Sequence, residues 1–126
     1  MSFSLKIKTA EQLAEEAREA LKERVRQRRD RAIEAGITVG GVPVYTDNIS
    51  QLRIVGAAKA VERHPGRKIN WKTAGAGFME LGAQEILAVA DAVLDHVQAC
   101  FDREAALVDQ IEAGGKPDIE AGWPGS

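Results

Sequence analysis

The chain has 126 residues, 44% of them apolar and 29% charged, which fits one soluble globular domain and excludes a wholly disordered or collagen-like polymer. Its net charge of −2 and pI near 5.7 argue against a strongly basic nucleic-acid binder. No run approaches the ~20 apolar residues of a membrane span, and the single Cys100 without a signal peptide predicts a reducing compartment.

Residues 9–35 contain neither Gly nor Pro and are rich in Ala, Leu, Glu, Lys, Gln and Arg, so they predict a long charged helix with Thr9 as its cap and Gly36 as its stop. Its large apolar residues are sparse and flanked by charge, as on a helix that lies against one partner. Leu13, Leu21 and Val25, with Arg24 and Arg28, are therefore candidate partner contacts. The partner can be the rest of the chain or another copy.

Ile37 and Val39 precede Gly40–Gly41, and Val42 and Val44 follow, a hairpin signal over residues 37–45 because paired glycines accept the positive φ of a tight primed turn. Thr46, Asp47 and Asn48 then offer three N-cap candidates for a second helix over residues 48–63, with Ile49, Leu52, Val55, Ala58 and Val61 at spacings of three. Pro65 and Gly66 end it. Ile69, Trp71 and Thr73 alternate before Gly75–Ala76–Gly77, and Phe78, Met79 and Leu81 follow. This predicts a second hairpin over 69–81 with Ile69, Trp71 and Phe78 turned to the helices.

Residues 83–113 carry the strongest pattern. Ile86, Ala90, Val93, Val97, Cys100, Leu107 and Ile111 recur at spacings of four and three, Leu87, Leu94, Phe101 and Val108 run beside them, and only Glu104 interrupts. The expected core is Trp71, Phe78, Ile86, Leu87, Val93, Leu94, Val97, Phe101 and Leu107. The fold class predicted is mainly α with small β: three helices and two short hairpins. A charged N-terminal helix (1–35) leads into a compact module (36–113), and residues 114–126 read as a flexible tail. Trp123 in that tail is either a loosely docked aromatic or an anchor on a partner chain.

The residues that could carry chemistry do not converge. Asp95 and His96 point about 100° apart on a helix, Cys100 sits on the core stripe as a small hydrophobe, and His64 suits a helix C-terminus. Gly75–Ala76–Gly77 lacks the Lys–Ser/Thr ending of a phosphate loop. No catalytic residue, metal ligand or cofactor is therefore assigned, and an enzyme is the least supported class. Charge is segregated instead: Lys22–Lys72 holds 12 bases and 5 acids, Glu80–Glu120 10 acids and 2 bases. Such separation favours the halves packing on each other or on copies of themselves. The run Lys22–Arg31 has six cations in ten residues, but Glu23 and Asp30 interrupt it and no aromatics interleave, so nucleic acid is a disfavoured partner.

The stretches Gly36–Ile37–Thr38–Val39–Gly40–Gly41–Val42–Pro43–Val44, Thr46–Asp47 with Ser50 and Gln51, Ile69–Asn70–Trp71–Lys72 with Gly77–Phe78, and His96–Val97–Gln98–Ala99–Cys100–Phe101 with Glu104 resemble, in order, the domain of unknown function 4376 family of bacteriophage and prophage tail and tail-fibre-associated proteins. The resemblance implies a structural or assembly component of a tail, working by protein–protein contacts. Its expected partners are further copies or a larger tail or tail-fibre protein, and its location the virion tail or the host cytoplasm during assembly. A tail-fibre chaperone absent from the particle and a nucleic-acid-binding accessory protein are the alternatives. Within the module, Asp47 would cap the second helix, the His96–Phe101 stretch would pack against Trp71, and His96 would bond to a neighbour.

Overall fold

A computed structural model describes residues 7–125. In chain order the elements are α1 (Ala10–Ile33), β1 (Ile37–Val39), β2 (Val42–Val44), α2 (Asn48–Arg63), β3 (Ile69–Lys72), β4 (Phe78–Leu81) and α3 (Ala83–Glu112). The protein is thus α+β, with three helices and two antiparallel two-stranded sheets, β1–β2 and β3–β4.

Each boundary has a local cause. Thr9 accepts from the Gln12 amide at 3.1 Å while the Gln12 side chain accepts from the Thr9 amide at 2.8 Å, a reciprocal cap that satisfies two orphan donors of α1. Gly36 ends the connection at φ +81°, where an added Cβ would lie 3.2 Å from the Val44 carbonyl oxygen. Gly40 and Gly41 both take positive φ, +54° and +82°, as the predicted two-residue hairpin turn requires. Of the three candidate caps of α2 it is Asp47 that accepts from the Ser50 amide. Thr46 goes inward instead: its hydroxyl donates to the Ile33 carbonyl and accepts from the Gly36 amide at 2.9 Å, tying the end of α1 to the first hairpin.

α3 is the common wall of three apolar clusters. Its C-terminal half packs Cys100, Leu107 and Ile111 on Val25, Ala32 and Ile33 of α1 and on Ile119 and Trp123. Its middle sets Val89 and Val93 against Val42 and Val44 of β2 and Ile54 of α2. Its first turn joins Ile86 to Ala57 and Val61 of α2 and Leu81 of β4. Lys22 of α1 meets Glu112, the last residue of α3, and Arg29 meets Glu104, so α1 runs antiparallel to α3. The turns of α1 before Leu21 lie past the end of α3 and are exposed.

Packing corrects several expectations. The stretch after residue 113 is docked rather than flexible: Ile119 and Trp123 are buried, the Trp123 indole N–H donates to the Ile119 carbonyl at 2.7 Å, and Arg103 donates to the Ala121 carbonyl at 3.0 Å. The reason is that α1 and α3 leave an apolar seam that this segment closes, so α1 from Leu21 onward and the segment carrying Ile119 and Trp123 belong to the same packed unit as the middle of the chain. Phe78 is 64% exposed, not core. The register pairs Trp71 with Met79 and Lys72 with Phe78, and alternation along a strand puts the second pair on the outer face. Leu94 (65% exposed) and Phe101 (43%) also leave the core, because the buried stripe of α3 is rotated toward Val89 and His96 and away from that column. Ile86, Val93 and Leu107 are buried, and Trp71, Leu87 and Val97 are half-buried against the core.

Candidate interaction surface

Tyr45, the first turns of α2 and the β3–β4 hairpin enclose a groove of about 610 Å³ whose lining includes Tyr45, Ile49, Arg53, Trp71, Lys72 and Phe78. Its walls are fixed by hydrogen bonds. The Asp47 carboxylate holds the first turn of α2 through Ser50, and the Gln51 side chain donates to the Thr46 carbonyl at 2.8 Å. The Thr73 hydroxyl donates to Gly77 at 2.7 Å and accepts from Ala76, which closes the β3–β4 turn, and the Ala74 amide donates to Pro43 at 3.0 Å, which fastens that turn to β2.

The apolar surface continues out of the groove along α2, where Ile49, Leu52 and Val55 are all more than half exposed. Sequence spacing alone placed these three with Ala58 and Val61 in one series. Steps of three fall about 60° short of a full helical turn each time, so the series spirals from the outside of α2 to its inside. Ile54, Ala57 and Val61 form the buried face, and the earlier members are left on the surface. Tyr45, Ile49, Leu52 and Arg53 were consequently missed as surface residues. The signal that could have found them is that α2 carries more apolar residues than one buried face of a helix can hold.

The expected partner contacts divide. Leu13 and Arg24 are exposed. Val25 is fully buried and Leu21 packs on the same cluster, so both serve the chain's own core. Arg28 pairs with Glu120 at 2.9 Å and lies over the Trp123 ring at 5.4 Å. The aromatic ring thus anchors the chain's own C-terminal segment rather than a partner. Of the six cations in Lys22–Arg31, Lys22 pairs with Glu19 and Glu112, Arg26 with Glu23, Arg28 and Arg31 with Glu120, and Arg29 with Asp30 and Glu104. That run is largely an internal clamp between α1 and the acidic C-terminal third.

His96 is buried and its Nε2 lies 2.9 Å from the Ala32 carbonyl oxygen. A carbonyl only accepts, so Nε2 carries the hydrogen, and the ring supports the last turn of α1. The Cys100 sulfur lies 4.0 Å from the same nitrogen. Cys100 is fully buried and burial pushes its thiol pKa up, the opposite of what a nucleophile needs. The Asp47 carboxyl is held below its ordinary range, chiefly by the Ser50 hydroxyl and then by backbone amides at the start of α2. His64 caps the C-terminus of α2. Among the described residues no group of three or more His, Cys, Asp or Glu is arranged to hold a metal, and no helix is long and apolar enough to cross a membrane. What the surface offers chemically is an apolar ridge edged by both cations and carboxylates, Arg53 and Lys72 with Asp47 in the groove and Glu62 farther along α2.

No curated protein and no solved structure matches the chain. The family model described as "Domain of unknown function (DUF4376)" matches residues 16–122. That span takes in most of α1 and the docked C-terminal segment as well as both hairpins, and by it the chain belongs to the DUF4376 family.

Proposed function

We propose that the protein is a structural or assembly component that works through protein–protein contacts, in the bacteriophage or prophage tail setting that the family resemblance implies. One observation carries the reading. Tyr45, Ile49, Leu52, Val55 and Phe78 form an exposed apolar surface on elements held rigid from behind. Contiguous apolar exposure of this kind on a folded domain marks an interaction site, and a preformed surface loses little entropy on docking. Nucleic acid is a weaker reading, because most of the Lys22–Arg31 cations are already engaged with carboxylates of the same chain.

The test is genetic and compositional. Particles produced from a genome encoding the native chain are compared, by mass spectrometry and by tail morphology, with particles made with Leu52→Glu/Phe78→Glu. Both positions are exposed, so the variant should melt close to the native chain. The expected result is defective or missing tails with the variant, with the native chain either in the particle (a structural part) or absent from it (an assembly chaperone). Unchanged particles with the variant and with a complete deletion would overturn the proposal.

A further inference from the structure

The β3–β4 ladder uses only half of the backbone groups of β3. Thr73 donates to the Gly77 carbonyl at 2.8 Å, and bonded pairs alternate with open ones along an antiparallel ladder. With Trp71 opposite Met79 and Ile69 opposite Leu81, those residues spend their amides and carbonyls on β4. Asn70 and Lys72 point theirs the other way, and no backbone bond carries either to another element. That free edge lies in the groove, since Ile69, Asn70, Trp71 and Lys72 all line it while β4 contributes Phe78 alone. Ile69 and Trp71 are half-buried beside it, and Ile49 and Ala57 of α2 form the opposite wall. An unpaired strand edge along an apolar trough can accept an added strand: backbone bonds hold it and the trough takes alternate side chains.

The chain itself carries a segment of the matching pattern. Phe3, Leu5 and Ile7 alternate with Ser2, Ser4, Lys6 and Lys8, the period of a strand with one apolar side. Ile7, the member of the apolar set among the described residues, is 83% exposed. The segment cannot serve its own groove. α1 has 24 residues and is about 36 Å long. At its far end Thr46 bonds to Ile33 and is flanked by the groove residues Tyr45 and Asp47, and the Ala74 amide pins the turn after β3 to Pro43 at that same end. Leu5 is four residues from Thr9 and reaches no more than about 14 Å beyond it.

We infer that residues 3–7 of a second copy add to β3 as a third strand and fill the groove. An antiparallel register with Leu5 beside Trp71 places Ile7 beside Ile69 and Phe3 beside Thr73, all toward α2. It sets Ser4 by Lys72 and Lys6 by Asn70, so no cation of the added strand opposes one of the edge. Lys8 and Lys68 fall beyond the ladder, and each has its own acid, Glu16 and Glu80. The α2 wall adds one charge of each sign, Asp47 and Arg53. Because the donor segment and the acceptor edge are different surfaces, the contact is heterologous. It closes when two copies exchange segments and otherwise continues into a ring or an open row. This inference rests on the reading of the groove as a protein-binding surface.

Sedimentation velocity of the full chain from about 1 µM to about 1 mM, with amide exchange followed by NMR, tests it. The native chain should associate as concentration rises, and the Asn70 and Lys72 amides should then exchange more slowly by about tenfold or more. Phe3→Asp/Leu5→Asp removes the donor, and Asn70→Pro removes an acceptor amide that no ladder bond uses. Each alone should weaken association by about tenfold or more. An equimolar mixture should form a 1:1 complex and nothing larger, since it holds one working donor and one working edge. A synthetic peptide of residues 2–9, added to Phe3→Asp/Leu5→Asp, gives a readout that does not depend on the proline variant folding. The peptide should protect the Asn70 and Lys72 amides, and the same peptide N-methylated at Ser4 and Lys6 should not. A native chain that stays monomeric throughout, a donor variant that associates as tightly as the native chain, or association that leaves Asn70 and Lys72 unprotected would overturn the second-copy strand. A monomer whose particles still depend on Leu52 and Phe78 would overturn it too, yet leave the proposed function standing with a different occupant. Association through β3 of a chain that particles do not need would do the reverse.

Discussion

Arg29 on α1 donates through one terminal nitrogen to both carboxylate oxygens of Glu104 on α3, at 2.9 and 3.0 Å, while its guanidinium carbon lies 5.3 Å from the centre of the Phe101 ring. The carboxylate that interrupts the apolar stripe of α3 is thus the one that receives the other helix. Both side chains are about four-fifths covered, 20% and 18% exposed. At that depth removing one partner matters more than the pair's net worth.

Glu104→Leu alone should destabilise the chain by about 1–2 kcal/mol, because Arg29 keeps its burial and loses its main acceptor. Arg29→Met combined with Glu104→Leu should recover at least about half of that loss. Urea denaturation of the two single variants and the double variant gives the coupling directly, and additive losses would contradict the pairing.

Trp123→Ala should cost about 3–5 kcal/mol, the range for removing a buried large aromatic. The loss combines its apolar area, its indole hydrogen bond to Ile119 and the Arg28 guanidinium stacked on it. Thermal melts of this variant and of a chain ending at residue 116 should fall together. A truncated chain as stable as the native one would mean that the segment contributes nothing.

Thr46→Val preserves shape and removes the hydroxyl that joins the Ile33 carbonyl to the Gly36 amide. Leaving those backbone groups unpaired in a buried place should cost about 1–3 kcal/mol, and amide exchange at Gly36 should accelerate. Thr46→Ser, which keeps the hydroxyl, should lose less.

Stability should fall in acid through Asp47. The folded chain holds this carboxyl below its unfolded value, so its contribution is present above the unfolded pKa of about 3.9 and disappears as pH drops through the folded pKa. The difference in Tm between the native chain and Asp47→Ala should therefore be constant near neutrality and shrink below about pH 4. A difference that persists unchanged to pH 2 would assign the cap to its shape rather than its charge.

Within 7–125, every helix and strand was legible in the sequence, because each is bounded by a local device. Thr9 and Gln12 cap one helix, Gly40–Gly41 turn one hairpin, Asp47 starts the next helix, and Pro65–Gly66 follow its end. These signals act over four or five residues, within reach of inspection along the chain. The surface was less legible. Phe78 and Leu94 have the hydrophobicity of core residues, and only strand register and helix rotation, both set by packing at a distance, turned them outward.

The amino-acid order by itself determined where helices and hairpins begin and end and that acid and base are segregated along the chain, since caps, turn glycines and charge are properties of near neighbours. Tertiary structure alone decided that Trp123 and Ile119 complete the core, that Val25 faces inward, and that Ile49, Leu52 and Phe78 remain outside. The difference is one of range. Each of those outcomes depends on which faces of α1, α2 and α3 cover one another, and burial is a property of the assembled surfaces rather than of any residue's own chemistry.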